Sequence, residues 1–318
     1  MLSVAESSTP IIELRRLHRV FGATRAVDNV SFEVGRGQVF GYIGPNGAGK
    51  TTSMRILATL DLPSAGDAFV DGFSCVNDPD RVRRRLGFMP DYFGTYADVD
   101  CYEYLDFFAR AYGLAGRERH QAVRRTMSFT RLDELATKPI RGLSKGMRQR
   151  LCLGRAMIHD PSVLILDEPA NGLDPRARIE LREMIRQLAA DGKTVLVSSH
   201  ILTELAEMCD QVGIIERGRL LALGTVAEIQ RQQTPHRSVN VRILGGAAEL
   251  AVWLGQRPDV SAIQLEGEQI RFTHAGTEVS EASLLREIVL ANFSVSQFAS
   301  HSQSLEDVFM AVTRGAVQ

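Results

Sequence analysis

The run Gly44-Pro45-Asn46-Gly47-Ala48-Gly49-Lys50-Thr51 has the spacing G-x-x-x-x-G-K-[ST], a device for holding phosphate. Glycines let backbone N–H groups turn inward around phosphate oxygens, because no Cβ stands in the way. Lys50 is long enough to reach the β- and γ-phosphates, and Thr51 offers a hydroxyl to Mg2+. Thr52 joins the phosphate-binding set in the first turn of a helix whose positive end adds a favourable field. Farther along, Val163-Leu164-Ile165-Leu166 is wholly apolar and runs straight into Asp167-Glu168. A carboxylate at the end of a buried strand lies where open α/β sheets bind ligands. Asp167 is therefore expected to hold Mg2+, directly or through water, and Glu168 to polarise an attacking water as general base. His200 follows a second apolar run and is placed to sense the γ-phosphate and orient that water. Ser144 opens a helix, where its hydroxyl is an N-cap and the helix end an anion site.

These residues need elements to position them. Short strands are expected at 11–14, 27–34 and 38–43, with Gly35 and Gly37 marking a turn. A helix opens at Lys50 and runs to about Leu60, and residues 92–135 read as helical and rich in aromatics. Further helices are expected at 144–158 and 176–190. The apolar runs 163–166 and 194–198 read as strands buried on both faces, as in a parallel sheet flanked by helices. The fold class is thus α/β, a P-loop NTPase core on residues 1–228 with a helical subdomain inserted at about 92–158. Thr225-Val226-Ala227-Glu228 reads as the capping box of a short helix, and residues 229–237 as a linker. Residues 238–318 restart the pattern in the order β-α-β-β-α-β, with a helix from Ser304. That order predicts a small α+β, ferredoxin-like domain.

Composition narrows the function. Hydrophobic residues at 44% and charged residues at 24% exclude a disordered or fibrous chain. Lys+Arg 37 against Asp+Glu 38 leaves a net charge of −1, so no basic excess points to nucleic acid as a partner. No apolar run approaches the roughly 18 residues of a membrane span, and the first residues do not read as a signal peptide. Cys75, Cys101, Cys152 and Cys209 match no metal or redox spacing and read as reduced thiols of a cytosolic protein. Any membrane role then requires a separate partner chain.

Over about residues 11–228 the sequence resembles the ATP-binding cassette (ABC) transporter ATPases. Leu143-Ser144-Lys145-Gly146-Met147 stands where that family has its LSGGQ signature, and residues 163–169 look like its Walker B strand. Asn171-Gly172-Leu173-Asp174 looks like the D-loop, Ser198-Ser199-His200 the switch histidine, and Phe21 falls where an aromatic stacks on adenine. The resemblance implies ATP and Mg2+ as cofactors. It also implies a homodimer with two ATP sandwiched, in which Ser144, Gly146 and Asp174 of one copy face nucleotide held by the other. The chain departs from the pattern at Lys145 (usually glycine), Met147 (usually glutamine), Asp91 (usually the Q-loop glutamine) and Asn171 (usually serine). Asp91 remains a candidate third group at the metal beside Thr51 and Asp167.

The resemblance extends to a partner. Residues 92–112 hold Tyr92, Phe93, Tyr96, Tyr102, Tyr104, Phe107, Phe108 and Tyr112. About half are expected to form the small helical core. The rest suit a groove for a short helix of a membrane permease. Met89-Pro90-Asp91-Tyr92-Phe93-Gly94 and the tail Ser304-Leu305-Glu306-Asp307-Val308-Phe309-Met310 resemble ATPases of ABC-2-type exporters, including daunorubicin-resistance-like pumps. The implied role is peripheral, at the cytoplasmic face of the cell membrane, driving export of a drug, lipid or polysaccharide-like substrate. An importer ATPase is the nearest alternative, and a soluble ABC-type ATPase in DNA repair or on ribosomes the next. The long coiled coil of repair forms and the second cassette of ribosomal forms are both missing from the sequence. A kinase or GTPase would not explain the signature segment, and no NKxD motif for guanine occurs.

Overall fold

The computed structural model describes residues 9–92, 94, 96, 98–201, 205, 207–232 and 236–302. The chain divides into two compact units, the first ending at Thr225 and the second beginning at Val226.

In the first unit a six-stranded sheet has the order β10-β9-β3-β8-β7-β6, formed by β3 (Val39–Ile43), β6 (Leu86–Met89), β7 (Val163–Leu166), β8 (Thr194–Ser199), β9 (Gln211–Glu216) and β10 (Arg219–Gly224). All neighbours are parallel except β10, which runs antiparallel to β9. β3, β7 and β8 are buried at every position, which is why they read as unbroken apolar runs. Their C-terminal ends therefore emerge side by side at one edge. An antiparallel sheet of order β2-β1-β4-β5 comprises β1 (Ile12–Phe21), β2 (Thr24–Val34), β4 (Ala65–Val70) and β5 (Phe73–Ser74). It shares a core with the six-stranded sheet, in which Phe32 stacks on Phe40 at 4.8 Å and Met54 is fully buried.

Helix α1 (Lys50–Leu57) follows β3 after the loop 44–49 and ends just before Thr59, whose φ of +57° leaves the helical region. It stops short of the expected Leu60. Helix α2 (Pro79–Arg83) precedes β6. The expected helical stretch 92–135 is two helices, α3 (Cys101–Ala111) and α4 (Gly116–Phe129). The start of α3 is fixed by a capping box: Asp100 accepts from the Glu103 N–H at 2.8 Å, and Glu103 accepts from the Asp100 N–H at 3.1 Å. Gly113, at φ +85°, breaks the chain before α4. With α5 (Lys145–Met157) they enclose a separate core containing Tyr104, Leu105, Val123, Met127 and Leu151. Helix α6 (Pro175–Ala190) joins β7 to β8.

The second unit opens with α7 (Val226–Gln232). This corrects the expected linker at 229–237, for the helix continues through Gln232 with Ile229 buried, and a strand begins at His236. There follow β11 (His236–Ile243), α8 (Ala247–Gly255), β12 (Val260–Glu266), β13 (Gln269–Ala275), α9 (Glu278–Leu290) and β14 (Val295–Ser302). The sheet is antiparallel in the order β12-β13-β11-β14, which is the split β-α-β arrangement expected of a ferredoxin-like domain. Val239, Val241, Phe272, Leu284 and Ile288 form its core. The tail segment 304–310 and Phe93 lie outside the described residues.

Candidate active site

Residues 44–49 link β3 to α1. Pro45, Asn46 and Gly47 form the exposed tip, while Gly44, Ala48, Gly49 and Lys50 are buried. Gly47 and Gly49 sit at φ +80° and +106°, and an added Cβ at Gly49 would meet the carbonyl of Ala26 on β2. The loop is braced from outside. The N–H of Gly218, in the β9–β10 turn, donates to the Ala48 carbonyl at 2.9 Å, and the Gly218 carbonyl accepts from the Asp28 N–H at 2.8 Å. The curve of this loop is thus shaped by segments distant in sequence.

Lys50 points back into this curve. Its Nζ donates to the carbonyls of Gly44 (2.7 Å) and Pro45 (3.3 Å) and lies 3.2 Å from Glu168 Oε1, an ion pair without hydrogen-bond geometry. Glu168 is reached from the end of β7. It adopts φ +48°, the left-handed region that costs a side-chain-bearing residue about 1 kcal/mol or more, and is held there from both sides. Its N–H donates to Ser198 Oγ at 2.9 Å, and its carbonyl accepts from the Asn171 N–H at 3.0 Å. Glu168 Oε2 pairs with His200 Nδ1 at 2.8 Å. Oε1 is buried with no hydrogen-bond donor, an acceptor facing the Lys50 ammonium.

Asp167 is almost fully buried. Burial pushes its carboxyl above the ordinary carboxylate range, the charges of Glu168 and Asp91 push the same way, and hydrogen bonds from Ser198 and Thr51 oppose them. Ser198 Oγ donates to Asp167 Oδ1 at 2.7 Å. A buried carboxylate bonded to the Thr51 hydroxyl, with neighbouring acids raising its energy, fits a divalent cation that also takes oxygens from phosphate. Among the described residues no cluster of three His, Cys, Asp or Glu side chains makes a self-sufficient metal cage.

The loops after β3, β7 and β8 therefore bring Lys50, Thr51, Asp167, Glu168 and His200 together. Asp91, just beyond β6, joins them electrostatically at Asp167 and accepts from Asn171 Nδ2 at 3.2 Å. Phe21 ends β1, half-exposed, with Arg19 stacked on one face at 4.3 Å and itself paired to Asp61 at 2.7 Å.

Ser144, Gly146 and Asp174 are not brought to this cluster. Among the described residues no hydrogen bond or ion pair joins residues 144–147 to the phosphate loop. Ser144 Oγ accepts from the Met147 N–H at 3.2 Å, and Asp174 accepts from the Ala177 N–H at 2.9 Å, each capping its helix. The two helix starts face one another across a small cleft. Lys145 reaches over this edge to Gly172, where an added Cβ would meet its ammonium. Reading the sequence missed the bridge role of Ser198 and the brace at Gly218. For Ser198 the only signal was its place beside Ser199 at the polar end of the apolar run 195–197; for Gly218 there was none.

A family model described as ABC transporter matches residues 27–171 of the chain. The Uncharacterized ABC transporter ATP-binding protein YxlF of Bacillus subtilis is 35% identical over 95% of this chain and 99% of its own length. The chain belongs to the ABC transporter ATP-binding proteins. Nod factor export ATP-binding protein I of Ralstonia nicotianae is 40% identical over 70% of this chain and 69% of its own. A second model, ATP-binding protein DrrA1-3-like, C-terminal domain, matches residues 224–313 of this ABC ATPase. A solved ATP-binding subunit of an ABC transporter, 32% identical, superposes with a TM-score of 0.64 over 70% of this chain and 92% of that one. A dimeric cassette bound to ADP and Pi, 23% identical, shares the fold at 0.61 over 68% and 98%. The ABC ATPase binds and hydrolyses ATP as the nucleotide-binding subunit of a transporter. Such subunits dimerise and act with membrane permeases, and no helix among the described residues is long and apolar enough to cross a membrane.

Proposed function

We propose that two copies of this ABC ATPase close on two ATP molecules and drive export through an ABC-2-type permease at the cytoplasmic face of the membrane. The phosphate loop, Gly44 to Thr52, cradles the phosphates of one ATP, and Phe21 stacks on its adenine. Lys50, which lines the inside of the loop, reaches the β- and γ-phosphates. Ser144, Gly146 and Asp174 of the second copy complete the pocket, which accounts for their separation from the cluster within one chain. Thr51 and Asp167 would hold Mg2+, with the Asp91 charge beside them, and the ion would supply neutralisation of developing phosphate charge.

Glu168 acts as general base through Oε1, the acceptor left without a donor. It takes the proton as water attacks the γ-phosphorus and ADP leaves. His200, bonded to Oε2, fixes the carboxylate and senses the departing phosphate. The observation that carries this reading is that Lys50, Asp167, Glu168 and His200 converge at the C-terminal ends of three adjacent parallel strands.

Export is supported by the relatives named for Nod factor export, and by the Probable multidrug ABC transporter ATP-binding protein YbhF of Escherichia coli, 37% identical over 70% of this chain and 38% of its own. The cargo class follows as a drug, lipid or polysaccharide-like molecule. For the permease, Tyr96, Val99, Glu103, Tyr104, Phe107 and Arg110 line a surface groove, with Tyr96 and Phe107 more than half exposed. This groove receives a short permease helix. The second unit serves as an accessory, regulatory domain.

Glu168→Gln tests the core of the proposal. It should lower turnover by about 10²-fold or more, and with MgATP it should run as a dimer in gel filtration. Wild-type turnover, or a monomer at saturating MgATP, overturns it.

A further inference from the structure

We infer that Asp91 and Asn171 are a matched pair of positioning residues that hold the general base, rather than a metal ligand and an unrelated loop residue. The inference rests on the assignment of Glu168 as base and adds what keeps it in place.

Glu168 occupies a backbone region that a residue with a Cβ keeps only when its surroundings enforce it. Behind it the Ser198 hydroxyl takes its N–H. Ahead of it the turn Glu168-Pro169-Ala170-Asn171 closes through the Asn171 N–H on the Glu168 carbonyl at 3.0 Å. Asn171 is thus the residue whose placement completes the turn. Its side chain is tied in turn to the next strand's loop, Nδ2 donating to Asp91 Oδ1 at 3.2 Å. Asp91 lies two residues beyond β6, which is bonded in register to β7, so the tether is held close to the sheet. On the other side the Lys145 side chain lies over Gly172.

The residue types fit the task as a pair. An ionised carboxylate is acceptor-only and needs a donor, which an asparagine amide supplies. Beside the glutamine and serine usual at these places in the resembling family, Asp91 is one methylene shorter and Asn171 one atom longer. The combined reach is kept while the donor moves across. One carboxylate oxygen of Asp91 is thereby committed to Asn171, and its negative charge raises the energy of the ionised Asp167.

The test uses the full-length protein with Asn171→Ala, Asp91→Ala, Asp91→Asn and the Asn171/Asp91 double alanine variant, beside Glu168→Gln. Asn171→Ala and Asp91→Ala should each lower kcat by about tenfold, with the KM for ATP changed less than about twofold, because the base loses alignment while nucleotide contacts stay. The double variant should be no slower than either single one. Asp91→Asn keeps the acceptor oxygen and should rescue most of the loss seen with alanine, at an unchanged half-saturating Mg2+ concentration. Hydrogen exchange supplies a readout apart from turnover: the Asn171 amide should lose protection in both single alanine variants and regain it in Asp91→Asn. If Asp91→Asn is as slow as Asp91→Ala and needs several-fold more Mg2+, Asp91 is a metal group and the inference fails. It fails equally if the losses multiply, or if Asn171→Ala turns over normally while Glu168→Gln is dead. Normal turnover by Glu168→Gln removes the assigned base and the inference with it.

Discussion

Ser198 is the smallest part of the site with the largest calculable consequence. Its hydroxyl is fully buried, donates to Asp167 Oδ1 at 2.7 Å and accepts from the Glu168 N–H at 2.9 Å, so one oxygen positions both acids. Ser198→Ala deletes that oxygen and almost no volume. A hydrogen bond to a charged group contributes about 1.5–3 kcal/mol, and a buried N–H left unpaired costs about 1–3 kcal/mol. With some relaxation the sum is about 3 kcal/mol. At about 2–4 °C per kcal/mol for a unit of this size, the first unit should melt about 6–12 °C lower. Turnover should fall about 10- to 100-fold, because Glu168 loses one of the two bonds that hold its backbone. Differential scanning fluorimetry with and without MgATP, and phosphate release at pH 7, measure both effects. A variant that melts within about 1 °C of wild type and keeps more than about half its rate refutes the account of the site.

Phe21→Ala should raise the KM for ATP about 5- to 150-fold with kcat little changed, since base–aromatic stacking contributes about 1–3 kcal/mol; an unchanged KM places the base elsewhere. In the second unit, hydrogen bonding to Arg257 holds the Asp259 carboxyl below its ordinary value, and His274 adds to the effect. A depressed folded-state pKa gives stability that is present above the unfolded value of about 4 and is lost as pH falls through the folded one. Asp259→Asn should therefore unfold at lower urea than wild type at pH 7, by about 1 kcal/mol, and the difference should shrink below about pH 4. Fluorescence of Trp253, the single tryptophan, reports this unit.

The parallel core was legible because burial on both faces leaves nothing but apolar residues to write. Residues 163–166 and 194–199 appear as strands almost to the residue. The second unit was legible from a different signal, the restart of the pattern in the order β-α-β-β-α-β. Between them the sequence misled where local signals compete. An aromatic-rich stretch from 92 looked helical, but the Asp100–Glu103 box starts the helix only at Cys101. Of its aromatics, Tyr104 is buried and Tyr102 and Phe108 pack against the same core, while Tyr92, Tyr96, Phe107 and Tyr112 stay exposed. At the candidate site, the positions of Asp167, Glu168 and His200 after strands were readable, and the fold brings these residues together with Lys50. Their mutual bonds were not, because Ser198, Asn171 and Gly218 act through contacts between segments that only the folded sheet brings together.

The Gly218 brace bears on how the protein is made. A growing chain exposes its glycine-rich loop early, but the turn that pins Ala48 and Asp28 leaves the ribosome only when almost the whole first unit has been synthesised. Until then the loop lacks two of the contacts that shape it. Competence to capture nucleotide is thus tied to completion of the unit, and nascent fragments ending before residue 218 carry the motif without its mould.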